Sequence, residues 1–241
     1  IDYAAKLEEL IESNQPADAG PSDAWPVLLD TIQRKTEVEE SLWPSAQRQY
    51  GTPIDYSALS APHSSETYDG SHSWAEVDAR AREGLAALRD AGVFARMEEL
   101  TRIRRAVRPI PKGHLLEILL PELGHTRALA RANGARMYQS HLSGDDREFV
   151  SAFEQTLALA RIIGGQALLI DHLVGIAIQA LAENHVREAL TERPFGPDTC
   201  QALLDAQTAY TDAMRGYDAH WSAMAGYRVG PSEIENCIVK H

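Results

Sequence analysis

The sequence predicts an all-α fold: antiparallel helical hairpins stacked as a bundle or a short repeat-like array, with one long irregular arm. Three observations point there. Apolar residues recur at three- and four-residue steps through most of the chain, which lines them up along one face of a helix. Glycine, proline and capping residues cut that pattern into rods of ordinary length. No window alternates strongly enough to require a sheet, although 233–239 is compatible with a short strand.

The first stripe is Tyr3, Leu7, Leu10 and Ile11, broken by Pro16, Gly20 and Pro21. A second helix starts at Ser22 or Asp23, with Pro26 in its first turn, turns Trp25, Leu28, Leu29 and Ile32 inward, and ends near Leu42. Residues 43–73 form an irregular arm or loop, and the aromatic residues Tyr50, Tyr56, Tyr68 and Trp74 suit an arm laid over the helices. Ser73 and Glu76 make a capping box for the next helix, and Val77, Ala81, Leu85 and Leu88 form its stripe up to Gly92. Phe94, Met97, Leu100, Ile103 and Val107 extend a further helix to Pro109.

A long helix is expected over 114–142, with Pro121 kinking it or opening its main part. Gly144, Asp145 and Asp146 supply a turn and cap, and Phe149, Phe153, Leu157, Ala160 and Ile163 run back antiparallel. After Gly164 and Gly165, residues 166–190 are apolar on nearly every side, which marks that run as the central helix. A last helix from Asp198 to about Gly226 carries Leu203, Leu204, Tyr210, Met214, Tyr217 and Trp221, and 229–241 is an irregular tail. The whole of 1–241 reads as one helical domain.

Composition narrows the function classes. Apolar residues make up 44% and charged residues 24%, so a packed core is expected. Acidic residues outnumber basic ones 35 to 23, and a formal charge of −12 disfavours nucleic acid as a partner. The basic cluster Arg102, Arg104, Arg105, Arg108 and Lys112 is placed at a helix C-terminus, where cations meet the negative end of the dipole. No stretch is long and charge-free enough for membrane insertion. The chain begins with Ile1, which fits an exported or periplasmic protein trimmed of a signal or anchor. Cys200 and Cys237 permit one disulfide, two reduced buried thiols being the alternative.

Four residues are candidate ligand-binding groups. Asp171 and His172 interrupt the most apolar helix, and a buried carboxylate needs a partner, sought among Arg127, Arg131, Arg136 and Arg161. Glu122 and His125 have the Glu-x-x-His spacing that puts both side chains on one helix face, as in di-iron bundles, but no second copy accompanies them. Histidine and cysteine spacings support no zinc site, and no catalytic residue or cofactor is assigned, since the nucleophile-elbow, phosphate-loop and dinucleotide motifs are missing from the sequence.

Residues 127–163 resemble a tetratricopeptide hairpin through Asn133, Gly134 and Tyr138 in the first helix, Gly144 and Asp145 at the turn, and Ala152, Phe153, Leu157, Ala158 and Leu159 in the second. With its Trp25-Pro26 segment, the layout is also similar to exported bacterial all-helical proteins; that resemblance implies a compartment and no activity. The expectation is a non-enzymatic scaffold or protein-interaction module, with a protein partner or self-association. The alternatives are a ligand- or metal-binding protein or enzyme with a polar site between central helices, and a structural homo-oligomer subunit.

Overall fold

The computed structural model describes residues 3–13, 15, 20–44, 54–59, 74–110 and 120–225. Among them are eight α-helices and one short 3-10 turn: α1 Tyr3–Ser13, α2 Ala24–Leu42, the turn Tyr56–Leu59, α3 Trp74–Asp90, α4 Val93–Arg102, α5 Pro121–Ser143, α6 Asp146–Gly164, α7 Leu169–Glu192 and α8 Pro197–Ala225. The fold is all-α. Ser73, Cys237, the 114–119 stretch and the tail at 229–241 lie outside the described residues, as does the strand considered at 233–239.

Local chemistry explains the helix ends. Asp23 holds an extended backbone, and its carboxylate accepts the Trp25 N–H at 2.9 Å, which caps α2 where the sequence places a cap. Pro121 is the first residue of α5, a position where its missing N–H costs nothing, so it starts the helix rather than kinking it. Gly144, at φ +74°, ends α5 in the left-handed region that favours glycine. Asp145 then accepts the Glu148 N–H at 3.1 Å and caps α6, so two residues reverse the chain.

Contacts between side chains set the helix directions. Asn133 donates to the Ala152 carbonyl and Arg136 meets Glu148, which makes α5 and α6 antiparallel. His185 packs on Gly134 and Glu192 lies beside His141, a constant offset that makes α5 and α7 parallel. Thr199 reaches Asp146 and Met214 touches Gly164, so α6 and α8 are parallel too. The outcome is an up-down-up-down run of four helices centred on α6, with α4 packed on α6, α2 and the Tyr56–Leu59 turn on α5, and α3 on α2, α4 and that turn. Tyr56 and Leu59 are buried, so this part of the 43–73 segment lies on the helices.

Two expectations about the layout are corrected. The central helix is α6, not the 166–190 run: α6 packs against α4, α5, α7 and α8 and buries residues around most of its circumference. α7 instead leaves Leu169 (53% exposed), Ile170 (48%), Leu173 (51%) and Ile176 (39%) on the surface. Apolar content all round a helix tracks burial only on average, and here the N-terminal half of α7 is apolar on a face that no described residue covers.

The second correction concerns 103–110. Helix α4 ends at Arg102, and residues 103–110 form an extended strap. Its backbone is satisfied from outside. The Ala24 N–H donates to the Arg105 carbonyl at 2.8 Å, Asp23 accepts the Val107 N–H at 3.1 Å, Gln15 accepts the Ala106 N–H at 2.8 Å, and Gln166 accepts the Arg108 N–H at 3.1 Å. These groups are distant in sequence, which is why helical spacing through Ile103 and Val107 misled. Of the basic cluster, Arg102 stands in the last turn of α4 as expected, whereas Arg104, Arg105 and Arg108 follow its end on the strap and Lys112 lies outside the described residues. Arg105 pairs with Glu12 at 2.7 Å and Asp23 at 3.0 Å, and Arg108 turns inward.

Candidate functional site

Arg108 is the centre of the most deeply buried charge cluster. The strap lays its backbone against Gln166, whose amide also donates to the Ile162 carbonyl at 2.6 Å and the Ala106 carbonyl at 3.2 Å. That arrangement aims the guanidinium at the first turn of α7. Its two terminal nitrogens donate to the two oxygens of Asp171 at 2.7 and 2.6 Å, a bidentate fork. The side chains are 3% and 0% exposed, so the pair is sealed from solvent. The same carboxylate accepts the Leu168 N–H at 3.2 Å and so also caps α7. Burial pushes the Asp171 carboxyl up from its ordinary range, and the Arg108 fork and the Leu168 N–H pull it back.

Two of the four sequence candidates, Asp171 and Glu122, converge here. Glu122, on the first turn of α5, brings a carboxylate oxygen to 3.5 Å from Arg108. His172, next to Asp171 in the sequence, is buried against the end of α6, with Nδ1 3.4 Å from the Gly164 carbonyl oxygen. His125 is half-buried one turn after Glu122 and takes no part in the Arg108 ion pairs. Among the described residues no three His, Cys, Asp or Glu side chains are grouped to hold a metal ion. The partner of Asp171 is thus Arg108, in place of the four arginines considered from sequence. Of those, Arg136 binds Glu148, Asn133 and Gln155, and Arg161 donates to the carbonyls of Ile103 and Arg104.

What the cluster does chemically follows from its saturation. Asp171 accepts three N–H bonds and has no exposed surface, so its carboxylate faces protein groups and not solvent. It fastens the strap to the turn between α6 and α7. Cys200 is buried at the start of α8, and its candidate partner Cys237 lies outside the described residues.

A second buried cluster was overlooked in the sequence. Lys35 and Glu39 on α2 form a 2.6 Å pair with side chains 1% and 6% exposed, roofed by Tyr56. The Tyr56 hydroxyl faces Glu39, and burial, the Glu39 charge and the hydrogen bond to its carboxylate hold that phenol protonated, far above its usual range. The signal was available: Lys35 and Glu39 continue the inward stripe of Leu28 and Ile32 at three- and four-residue steps.

Two more buried histidines line the α5–α7 seam. His141 sits edge-on to Phe149 and Phe195, and burial with the nearby Arg193 charge pushes its pKa below the ordinary 6.5. His185 fits against Gly134, where a Cβ would lie 2.3 Å from its Nε2, and burial lowers it likewise, opposed by Glu188. Both lowered values mean that the unfolded chain binds the protons more readily. Stability is therefore complete above the unfolded value of 6.5 and declines as pH falls below it toward the folded values. We expect the urea midpoint to drop between pH 7.5 and pH 5.5, and replacement of His185 by Gln to flatten that slope; an unchanged midpoint over this interval would refute the assignment.

No family model, curated protein or solved structure matches this chain. Among the described residues no helix is long and apolar enough to cross a membrane.

Proposed function

We propose that the chain is a helical scaffold that docks another protein surface on the outward side of α7. One observation carries the reading: every exposed residue from Leu169 to Ala180 is apolar, namely Leu169, Ile170, Leu173, Ile176, Ala177 and Ala180. Contiguous exposed apolar surface of this kind marks interaction sites. The inward side of the same helical stretch supports it from the other direction. Asp171 and His172 would be the polar groups of a ligand site between central helices, and they are engaged by Arg108 and by the carbonyl of Gly164, the last residue of α6. The scaffold reading is favoured over a catalytic one on that ground.

Crosslinking with mass spectrometry in the native source tests it. Crosslinks from the wild-type chain to other polypeptides should cluster around 169–180, and a Leu173→Glu/Ile176→Glu variant of unchanged melting temperature should lose them. Crosslinks that concentrate elsewhere, or that survive the double substitution, would sink the proposal.

A further inference from the structure

We infer that the docking face of α7 is regulated by the chain's own carboxy-terminal tail, which runs back over Leu169 to Ala180 and is tied down by a disulfide between Cys200 and Cys237; the inference rests on the docking reading above. The tie selects this occupant. Cys200, buried at the start of α8, is disulfide-bonded, and Cys237 is the other cysteine of the chain. Helix α8 rises about 37 Å from Cys200 to its end at Ala225. Residues 226–237 span roughly 40 Å when fully extended. To reach Cys200 the tail must therefore return along α8 with almost no slack. Its sequence allows that, because Gly230 and Pro231 stop a helix and 233–239 is compatible with a strand.

The path along α8 adjoins the apolar face. Leu169, Ile176 and Glu183 lie at seven-residue steps on one side of α7, and on that side Glu183 accepts from Gln207 of α8 at 3.0 Å. Levels along the helices agree with this route. Met214 touches Gly164, which Gly175 also meets, so α8 ends about 16 Å beyond the level of Gly175 and past Leu169. Because α7 and α8 are antiparallel, a tail that doubles back runs in the direction of α7. One extended residue advances as far as about two helical ones. Tyr227 then comes level with Leu169, Val229 with Leu173 and Pro231 with Ala177, three alternate residues on one side of an extended segment. Glu233 and Glu235 arrive only beyond Ala180, and Cys237 arrives level with Cys200. One register thus serves both the apolar face and the disulfide. A docking partner has to displace this cover, and reduction of the disulfide releases it.

Two readouts on the full chain, prepared without reductant, test this. Nonreducing peptide mapping should return Cys200 and Cys237 in one linked pair. Photo-carbene labelling, located by mass spectrometry, should be low across 169–180 in the oxidised wild type. It should rise severalfold in Cys237→Ser and in Val229→Glu, which leaves both cysteines in place and so reads the cover even if loss of the disulfide destabilises the chain. Absence of the linked pair, or labelling of 169–180 that is the same in the oxidised wild type and in Val229→Glu, overturns the inference. Crosslinking decides the docking reading separately. A face that is open in the oxidised wild type and still crosslinks to other polypeptides keeps that reading and loses this one. A covered face that gains no crosslinks in Cys237→Ser keeps the tail and loses the docking reading.

Discussion

Gly175→Ala should lower the stability of this protein by about 3 kcal/mol, the cost of forcing a methyl group into a closed helix crossing. A Cβ on Gly175 would lie 2.7 Å from the Gly164 Cα, 2.8 Å from the Ala160 carbonyl oxygen and 2.9 Å from the Gly164 nitrogen. All three atoms are α6 backbone, so no side chain can rotate away and the two helices must separate along the centre of the bundle. Alanine's better helix propensity offsets at most about 1 kcal/mol. For a chain of this length the loss corresponds to a fall of roughly 6–12 °C in melting temperature. Gly124→Ala is the control: it lies on α5 with nothing within 4 Å of an added Cβ, and it should hold or raise stability. If the two variants melt together, α6 and α7 do not cross as closely as described here.

Asp171→Asn should be comparably costly. It removes the counter-charge of a guanidinium that is 3% exposed and leaves Arg108 with Glu122, at 3.5 Å, as its nearest carboxylate. Breaking one side of a buried pair typically costs 3–5 kcal/mol, because the surviving charge remains desolvated. The Nε of Arg108 already lacks a hydrogen-bond partner, so the fork to Asp171 carries most of its compensation. The double variant Arg108→Met/Asp171→Leu, which removes both charges and keeps the volume, should recover most of the loss. Urea denaturation of the two single variants and the double, treated as a cycle, gives the coupling. A coupling below about 1 kcal/mol would mean that the pair does not hold the strap.

Where the sequence was legible, the cause was local. Asp23 caps α2 within two residues, Gly144 and Asp145 turn the chain within two, and Pro121 opens α5 by its own geometry, so each could be read without knowing the rest of the fold. Illegible features depended on distant partners. Ile103 and Val107 keep helical spacing, yet the segment is extended because Asp23, Gln15 and Gln166 bind its backbone. Arg108 was assigned to a helix end for the same reason, which hid the arginine that, among the described residues, reaches Asp171.

Burial on α6 and α7 was misjudged through composition. Gln155 and Thr156 make α6 look less apolar, yet Gln155 accepts from Arg136 and Thr156 donates to the Ala152 carbonyl, so both are buried without penalty. Lys35 and Glu39 sat in plain view on the inward stripe of α2. Charged residues are ordinarily read as solvent-facing, and only the fold brings Tyr56 over the pair.

The strap also bears on the order in which the molecule assembles. Helices α5 to α8 follow one another through short reversals, so their mutual contacts require little loop closure, and such topologies form quickly. The strap meets its anchors across wider sequence separations: 58 residues to Gln166 and 63 to Asp171. The Arg108–Asp171 pair rewards closing that span only once the first turn of α7 exists to receive the guanidinium, so we expect the bundle to form before the strap is locked, an order that φ-values in α6 and at Asp171 would check. The amino-terminal helix is expected to dock later still, since Glu8, Glu12 and Gln15 bind the strap itself.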